Sequence, residues 1–392
     1  MRAPFTAAVL AGAVIAAPLA MAEQAPSAAE MWKLIQEQQR EIERLKQEQK
    51  NTDAKVEATA DAVESGAMSN GWASRVSLGG YGEHHFNHFK DKDDKVDAHR
   101  FVLFVGNQFS DTVRFFSELE VEHGLVKDTD DGSGPGEVEL EQAYIQWDFT
   151  PGHSLTMGQF LVPVGIINET HEPDTFYGTE RNNVEKDIIP ATWWETGVMF
   201  SGEILPGLKY NAALHSGLAA DPGATVRSGR QKSANATAED LAYTLRLAYT
   251  GVAGLEVAAT AHHQQDISQG AAADGEANLL EAHIRYTIAN LTLTALAAEW
   301  DIDGAAFDTA GTDVQEGAYL EASYKVTPKL GVFVRQSEWD NKAGNSVDTE
   351  IEQTDVGVNY WLTPTVVLKA DLTEQDGAKD DDAFNLGVGW SF

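Results

Sequence analysis

Eleven histidines, 61 carboxylates and no cysteine bound the chemistry open to this 392-residue chain. Without thiols there is no disulfide framework, thiolate nucleophile or cysteine-based zinc site. His84, His85, His88, His99 and His123 gather near the ends of three successive segments, where imidazoles could hold a transition metal. Strand parity, however, turns His84, His88, His99 and His123 to one side and His85 alone to the other. No closed metal site and no cofactor are therefore expected. A nucleophilic enzyme needs a serine within reach of an oriented base. His215-Ser216 is the nearest pair, and adjacent residues on a strand face opposite ways. G-x-S-x-G, H-E-x-x-H and phosphate-loop patterns do not occur in the sequence, so an enzyme is the weaker reading.

The ionisable residues with the clearest pattern alternate with apolar ones. Arg100, Arg114, Lys209, Arg246, Arg285, Lys325, Arg335 and Lys369 share this placement with Glu118, Glu120, Glu281, Glu321, Asp355 and Asp371. If the apolar face meets lipid, these side chains line a wet interior, where opposed charges make a transverse field. A thirty-residue interruption, 162–191, carries Glu169, Asp174, Glu180, Arg181, Glu185 and Asp187. Loops of that length in a compact domain are usually functional, and this one is expected to fold inward and narrow the passage.

Positioning such residues takes strands. From residue 75 to the C-terminus, sixteen alternating segments recur, each about the length needed to cross roughly 30 Å of hydrocarbon at a tilt. Short connections such as Ser110-Asp111, Thr150-Pro151-Gly152 and Thr363-Pro364 alternate without a break with long ones such as 124–136, 162–191 and 218–238. Short inner turns, long outer loops and an even strand count predict an all-β, 16-stranded antiparallel transmembrane β-barrel over 75–392, with both ends periplasmic. Phe384, Leu386, Val388, Trp390 and Phe392 share the outer face of the last strand. Trp147, Phe149, Tyr249, Tyr286, Tyr324, Tyr360 and Trp390 fit an interfacial girdle.

Upstream, Arg2, the apolar stretch from Ala7 to Leu19 and Ala20-Met21-Ala22 read as a signal peptide over 1–22. Residues 23–74 contain a heptad seam (Ile35, Ile42, Gln49, Val56, Val63) and a Gly-containing linker. They are expected to form a short periplasmic α-helical coiled coil that supports an oligomer. A net charge of −33 excludes general nucleic-acid affinity.

Gln142-Ala143-Tyr144-Ile145-Gln146-Trp147 precedes Met157-Gly158-Gln159-Phe160-Leu161-Val162-Pro163-Val164-Gly165, and Trp194-Glu195-Thr196-Gly197-Val198 follows the long loop. These segments resemble the phosphate-selective porin O/P group of Gram-negative outer-membrane porins. The resemblance implies a trimeric, 16-stranded diffusion channel. From the residues themselves, no catalytic group is expected, the apolar face would meet outer-membrane lipid, and the acidic outer loops would meet lipopolysaccharide through divalent cations. Phe392 resembles the terminal signal read by the barrel assembly machinery. The sequence departs from the family's basic pores: 21 basic residues face 51 acidic ones over 75–392. Cation preference or weak selectivity is therefore expected. Uptake of phosphate or another anion, of a siderophore or of a metal stands as the alternative.

Overall fold

The short connections are built from turn chemistry. In Thr150-Pro151-Gly152-His153 and Leu205-Pro206-Gly207-Leu208, proline presets φ at the second position, and glycine takes φ values of 80° and 82° at the third. Such turns return the chain to its neighbour and so favour an antiparallel meander. The computed structural model describes residues 73–126, 134–271 and 274–392. The signal peptide and the heptad seam lie outside the described residues.

Among the described residues, sixteen strands form one closed antiparallel barrel. They are β1 (Val76–Phe89), β2 (Lys95–Ser110), β3 (Val113–Glu122), β4 (Val138–Thr150), β5 (His153–Leu161), β6 (Trp194–Leu205), β7 (Leu208–His215) and β8 (Ala242–Tyr249). The second half comprises β9 (Leu255–Gln264), β10 (Glu276–Ile288), β11 (Leu291–Asp303), β12 (Val314–Thr327), β13 (Leu330–Asp340), β14 (Ile351–Thr363), β15 (Val366–Gly377) and β16 (Ala383–Ser391). They follow the sixteen alternating segments read from residue 75 onward. Closure pairs β1 with β16 from Tyr81–Ser391 to Phe89–Ala383. The terminal residue completes the seam, since Gly80 and Phe392 exchange backbone hydrogen bonds of 3.0 and 2.9 Å. No unpaired edge is left to face lipid.

Polarity is inverted relative to a water-soluble domain. On β10, Leu280 is 67% exposed while its neighbour Glu281 is 3% exposed. Leu245, Leu320, Val334, Val356 and Leu386 stand outside, whereas Arg100, Glu118, Arg335, Asp355 and Lys369 are buried inside. Exposed Trp147, Phe149, Tyr249, Tyr324 and Tyr360 sit at the short-turn ends of their strands, the rim where an aromatic belt is expected. Only lipid can cover an apolar surface of this extent.

The ladders from β2 round to β16 and β1 are regular except where they meet short turns and at one place in mid-wall. Between β3 and β4, Glu118 pairs with Gln142 but Leu119 pairs with Leu140, so Glu141 is an extra residue. A bulge re-aims side chains. Here it turns Glu141 inward beside Gln142. The outer connections hold structure that periodicity did not predict: helix α1 (Ala305–Ala310) before β12, a π-turn at Val184–Ile188 and a 3-10 turn at Val226–Gly229.

Candidate functional site

The 162–191 loop enters the barrel because its stems are tied tightly. Gly165 adopts φ of 69°, and a Cβ there would lie 2.7 Å from Glu185 Oε2, so the motif needs glycine. Glu185 accepts hydrogen bonds from the Ile166 and Ile167 amides (2.7 and 2.6 Å) and from the Tyr319 hydroxyl (2.7 Å). Asn168 donates to the Val162 and Trp193 carbonyls and accepts from the Trp193 amide, which joins the two stems. Gly158, in the preceding strand, lets β4 approach, since a Cβ would fall 2.5 Å from the Ala143 carbonyl oxygen.

From these stems the loop reaches around the inner wall. Asp174 accepts from Ser391 (2.6 Å), the Phe176 carbonyl from Asn359 (3.0 Å), and the Thr179 amide donates to Asp371 (2.7 Å). Glu180 lies 3.0 Å from His85 Nδ1, Asn183 donates to Gln353, and Trp300 donates to the Ile188 carbonyl. These partners belong to β16, β14, β15, β1 and β11, so the segment crosses the interior. Its apolar residues Val184, Ile188 and Ile189, with Trp193 just before β6, pack on Leu296, Trp300, Tyr319, Trp339 and Ile351 of β11–β14.

A second loop, between β7 and β8, also turns inward, which the sequence reading did not foresee. Arg227 donates to the Lys186 carbonyl (2.7 Å) and the Ala191 carbonyl, and Arg230 to the Thr192 carbonyl. Gln315 of β12 accepts from the Val226 amide. Lys232 pairs with Glu137 (2.7 Å) and Glu139. Burial pushes Arg227 down to about 10, with help from the neighbouring Arg230 charge, and burial lowers Arg230 as well. Lys232 is raised: burial opposes its charge, but the hydrogen bonds to Glu137 and Glu139 prevail. The same bond lowers Glu137. A hint was present in the sequence, for Arg227, Arg230 and Lys232 fall within six positions of a chain poor in basic residues.

Between the loops and the β1–β4 wall lies a cavity of about 300 Å³. Arg100, Arg181, Lys186, Arg227, Arg230 and Lys232 line it with Glu83, Glu122, Glu137, Glu139 and Glu180. Towards the short turns it gives way to a cavity of about 760 Å³ lined by Arg114, Lys209 and Arg246. Towards the long loops another of about 460 Å³ is lined by Arg181, Asp187, Arg335, Asp355 and Asp371.

The residues singled out by alternation are nearly all engaged. Arg100 bridges Glu83 (2.8 Å) and Glu120 (3.3 Å), and Arg114 holds Asp148 (2.7 Å). Arg246 pairs with Glu169, Arg285 with Glu256, and Arg335 with Glu321 and Asp355. Glu281 accepts from His283, and Glu118 from Gln142. Lys325 and Lys369 lie over the Trp361 and Phe176 rings, each at 3.6 Å. Glu185 departs from its expected place in the passage: it is fully buried at the base of the loop, where it takes backbone amides.

Parity misplaced two histidines. His84 and His88 are exposed as expected, but His99 stacks on His85 at 4.4 Å, and both line the central cavity with His123. Asp97 accepts from His99 (3.0 Å) and His123 (2.8 Å). His123 lies one residue past β3 and takes φ of 52°, so alternation no longer directs it, whereas His99 and Arg100, neighbours on β2, both turn inward and locally break the period of two. His215 and Ser216 do not act together: His215 bonds Thr244 and Ser216 bonds Glu195.

Comparisons with known proteins agree with this architecture. An uncharacterized protein of Aquifex aeolicus (strain VF5) is 29% identical over 352 residues, covering 81% of this chain and 80% of its own. The anion-selective porin from Comamonas acidovorans superposes with a TM-score of 0.59 at 11% identity, covering 81% of this chain and 99% of that one. The trimer form of OmpT from Vibrio cholerae gives 0.53 at 13% identity, with coverage of 81% and 98%. Family and fold point to a channel rather than an enzyme. The profile of phosphate-selective porins O and P matches residues 79–383, and the chain belongs to that family.

Proposed function

We propose that the protein is an outer-membrane porin through which small hydrophilic or charged solutes diffuse passively, with weak charge selectivity set by its two inward loops. The observation that carries this reading is the lining of the central cavity, where six basic side chains face five acidic ones. The chain's net charge of −33 does not describe this gap. At the outer rim, Asp380 and Asp382 pair with Lys90 and Asp381 with Lys92. Opposed charges across a narrow gap orient polar solutes and disfavour apolar ones. Loop 162–191 would act as the constriction, with Arg181 and Glu180 among its contacts with solute.

A second reading, anion or phosphate uptake, draws on Arg227, Arg230 and Lys232 beside Arg181 and Lys186, and on the family. Reversal potentials in planar bilayers under a tenfold KCl gradient separate the two. Weak selectivity predicts a potential near zero, moving towards cation preference in the Arg227→Ala/Arg230→Ala variant. A strongly anionic potential, with current block by millimolar phosphate, would favour the second reading. Absence of conductance from folded protein would defeat both. Trimer assembly through the barrel and the N-terminal seam belongs to the same proposal, and native gels of a 30–64 deletion test the seam's part in it.

A further inference from the structure

The Glu141 bulge creates a feature that solute diffusion does not use. It aims Glu141 at Glu118 and at His171 of the inward loop, and the three side chains are 0%, 1% and 3% exposed. His171 Nε2 lies 3.4 Å from Glu141 Oε2 and 3.5 Å from Glu118 Oε1. Charge-assisted hydrogen bonds from nitrogen to carboxylate close to about 2.7–2.9 Å. The longer spacing instead matches the edge of a tetrahedron, about 3.3–3.6 Å, around an ion with bonds of about 2.0–2.2 Å. Among the described residues, neither Glu141 oxygen nor His171 Nε2 has a hydrogen-bond partner.

The surroundings orient these groups as ligands. His171 Nδ1 donates to the Asn168 carbonyl (3.1 Å), and a carbonyl can only accept, so the proton sits on Nδ1 and Nε2 is directed at the carboxylates. Metal-binding histidines are commonly held in this way. Glu118 is fixed by Gln142 (2.6 Å) and Tyr81 (3.4 Å). Glu120 comes within 4.8 Å of Glu141 and offers a further oxygen. The guanidinium of Arg100 is engaged by Glu120 and Glu83. Buried carboxylates in such excess call for a cation.

We propose that Glu118, Glu141 and His171 bind a divalent transition-metal ion, which ties the 162–191 loop to the β3–β4 wall. One imidazole with two or three carboxylates suits Zn²⁺, Mn²⁺ or Fe²⁺. The Asp97–His99–His123 triad is a poorer candidate, because both imidazoles already hydrogen-bond the Asp97 carboxylate. That makes it a useful control.

Full-length protein in detergent is stripped with chelator, loaded with Zn²⁺ or Mn²⁺, desalted and assayed by plasma mass spectrometry. About one retained equivalent per chain is expected. Glu141→Gln and His171→Gln should each retain less than a tenth of that, while Asp97→Asn/His123→Ala retains it fully. Metal should also slow proteolysis within 162–191. Heat-modifiable gel mobility reports whether each variant keeps its barrel. If a variant misfolds, X-ray absorption of the loaded wild type decides, with a single-imidazole, oxygen-rich shell supporting the site and a multi-imidazole shell overturning it. No retained metal in the wild type, or full retention in folded Glu141→Gln and His171→Gln, also overturns it.

Discussion

The two sides of the barrel interior differ in kind. Against β11–β14, the inward loop forms a dry apolar core around Trp193, Trp300, Tyr319 and Trp339. Against β1–β4, its Glu180 and His171 meet His85, Glu118 and Glu141, on a wall whose Arg100, Glu83 and Glu120 pair among themselves. Apolar packing is non-directional and tolerates no gap, so the first side is suited to holding the loop. Charges need partners or water, so the second keeps a cavity open. One wall anchors and the other lines the passage.

The comparison breaks most readily at Trp300. Trp300→Ala removes a packed ring and the bond to the Ile188 carbonyl, and should cost about 3–5 kcal/mol. The unfolding temperature in detergent should fall and single-channel conductance should become larger and noisier. Unchanged conductance would mean that the apolar wall does not hold the loop. A smaller effect is expected from Glu185→Gln, which weakens a charged acceptor of two amides and a hydroxyl by about 1.5–3 kcal/mol. Trypsin should then cut faster after Arg181 and Lys186, and an unaltered digestion pattern would shift the anchor elsewhere. Smallest in stability is Lys232→Ala on the polar side, worth at most about 1 kcal/mol for a partly exposed pair. Its signature should be electrical instead: Glu137 and Glu139 lose their counter-charge, and the reversal potential should move towards cations at low salt. Because about 1 M salt screens charges beyond roughly 3 Å, the shift should shrink there.

Legibility in the sequence followed the range of the interactions involved. Alternation of Leu280 with Glu281, or Leu245 with Arg246, is a local signal, and strand limits and facing were readable from it. So were the Pro-Gly turns. Glu141 was invisible because a bulge breaks the period of two on which facing was judged. His99 and His123 failed for a related reason, since the period of two breaks at His99–Arg100 on β2 and His123 lies past the end of β3. The loop with Arg227, Arg230 and Lys232 resembled any other outer connection, because nothing within it specifies Lys186 or Gln315 as its partner.

The amino-acid sequence by itself determined a closed sheet of sixteen strands, apolar outside and polar inside. Side-chain alternation and turn residues act over a few neighbours, and closure then removes every edge. Tertiary structure alone decided which loops enter the barrel, which charges meet and where an imidazole faces two carboxylates. Those contacts join residues dozens to hundreds of positions apart, and their geometry exists only after the barrel has closed.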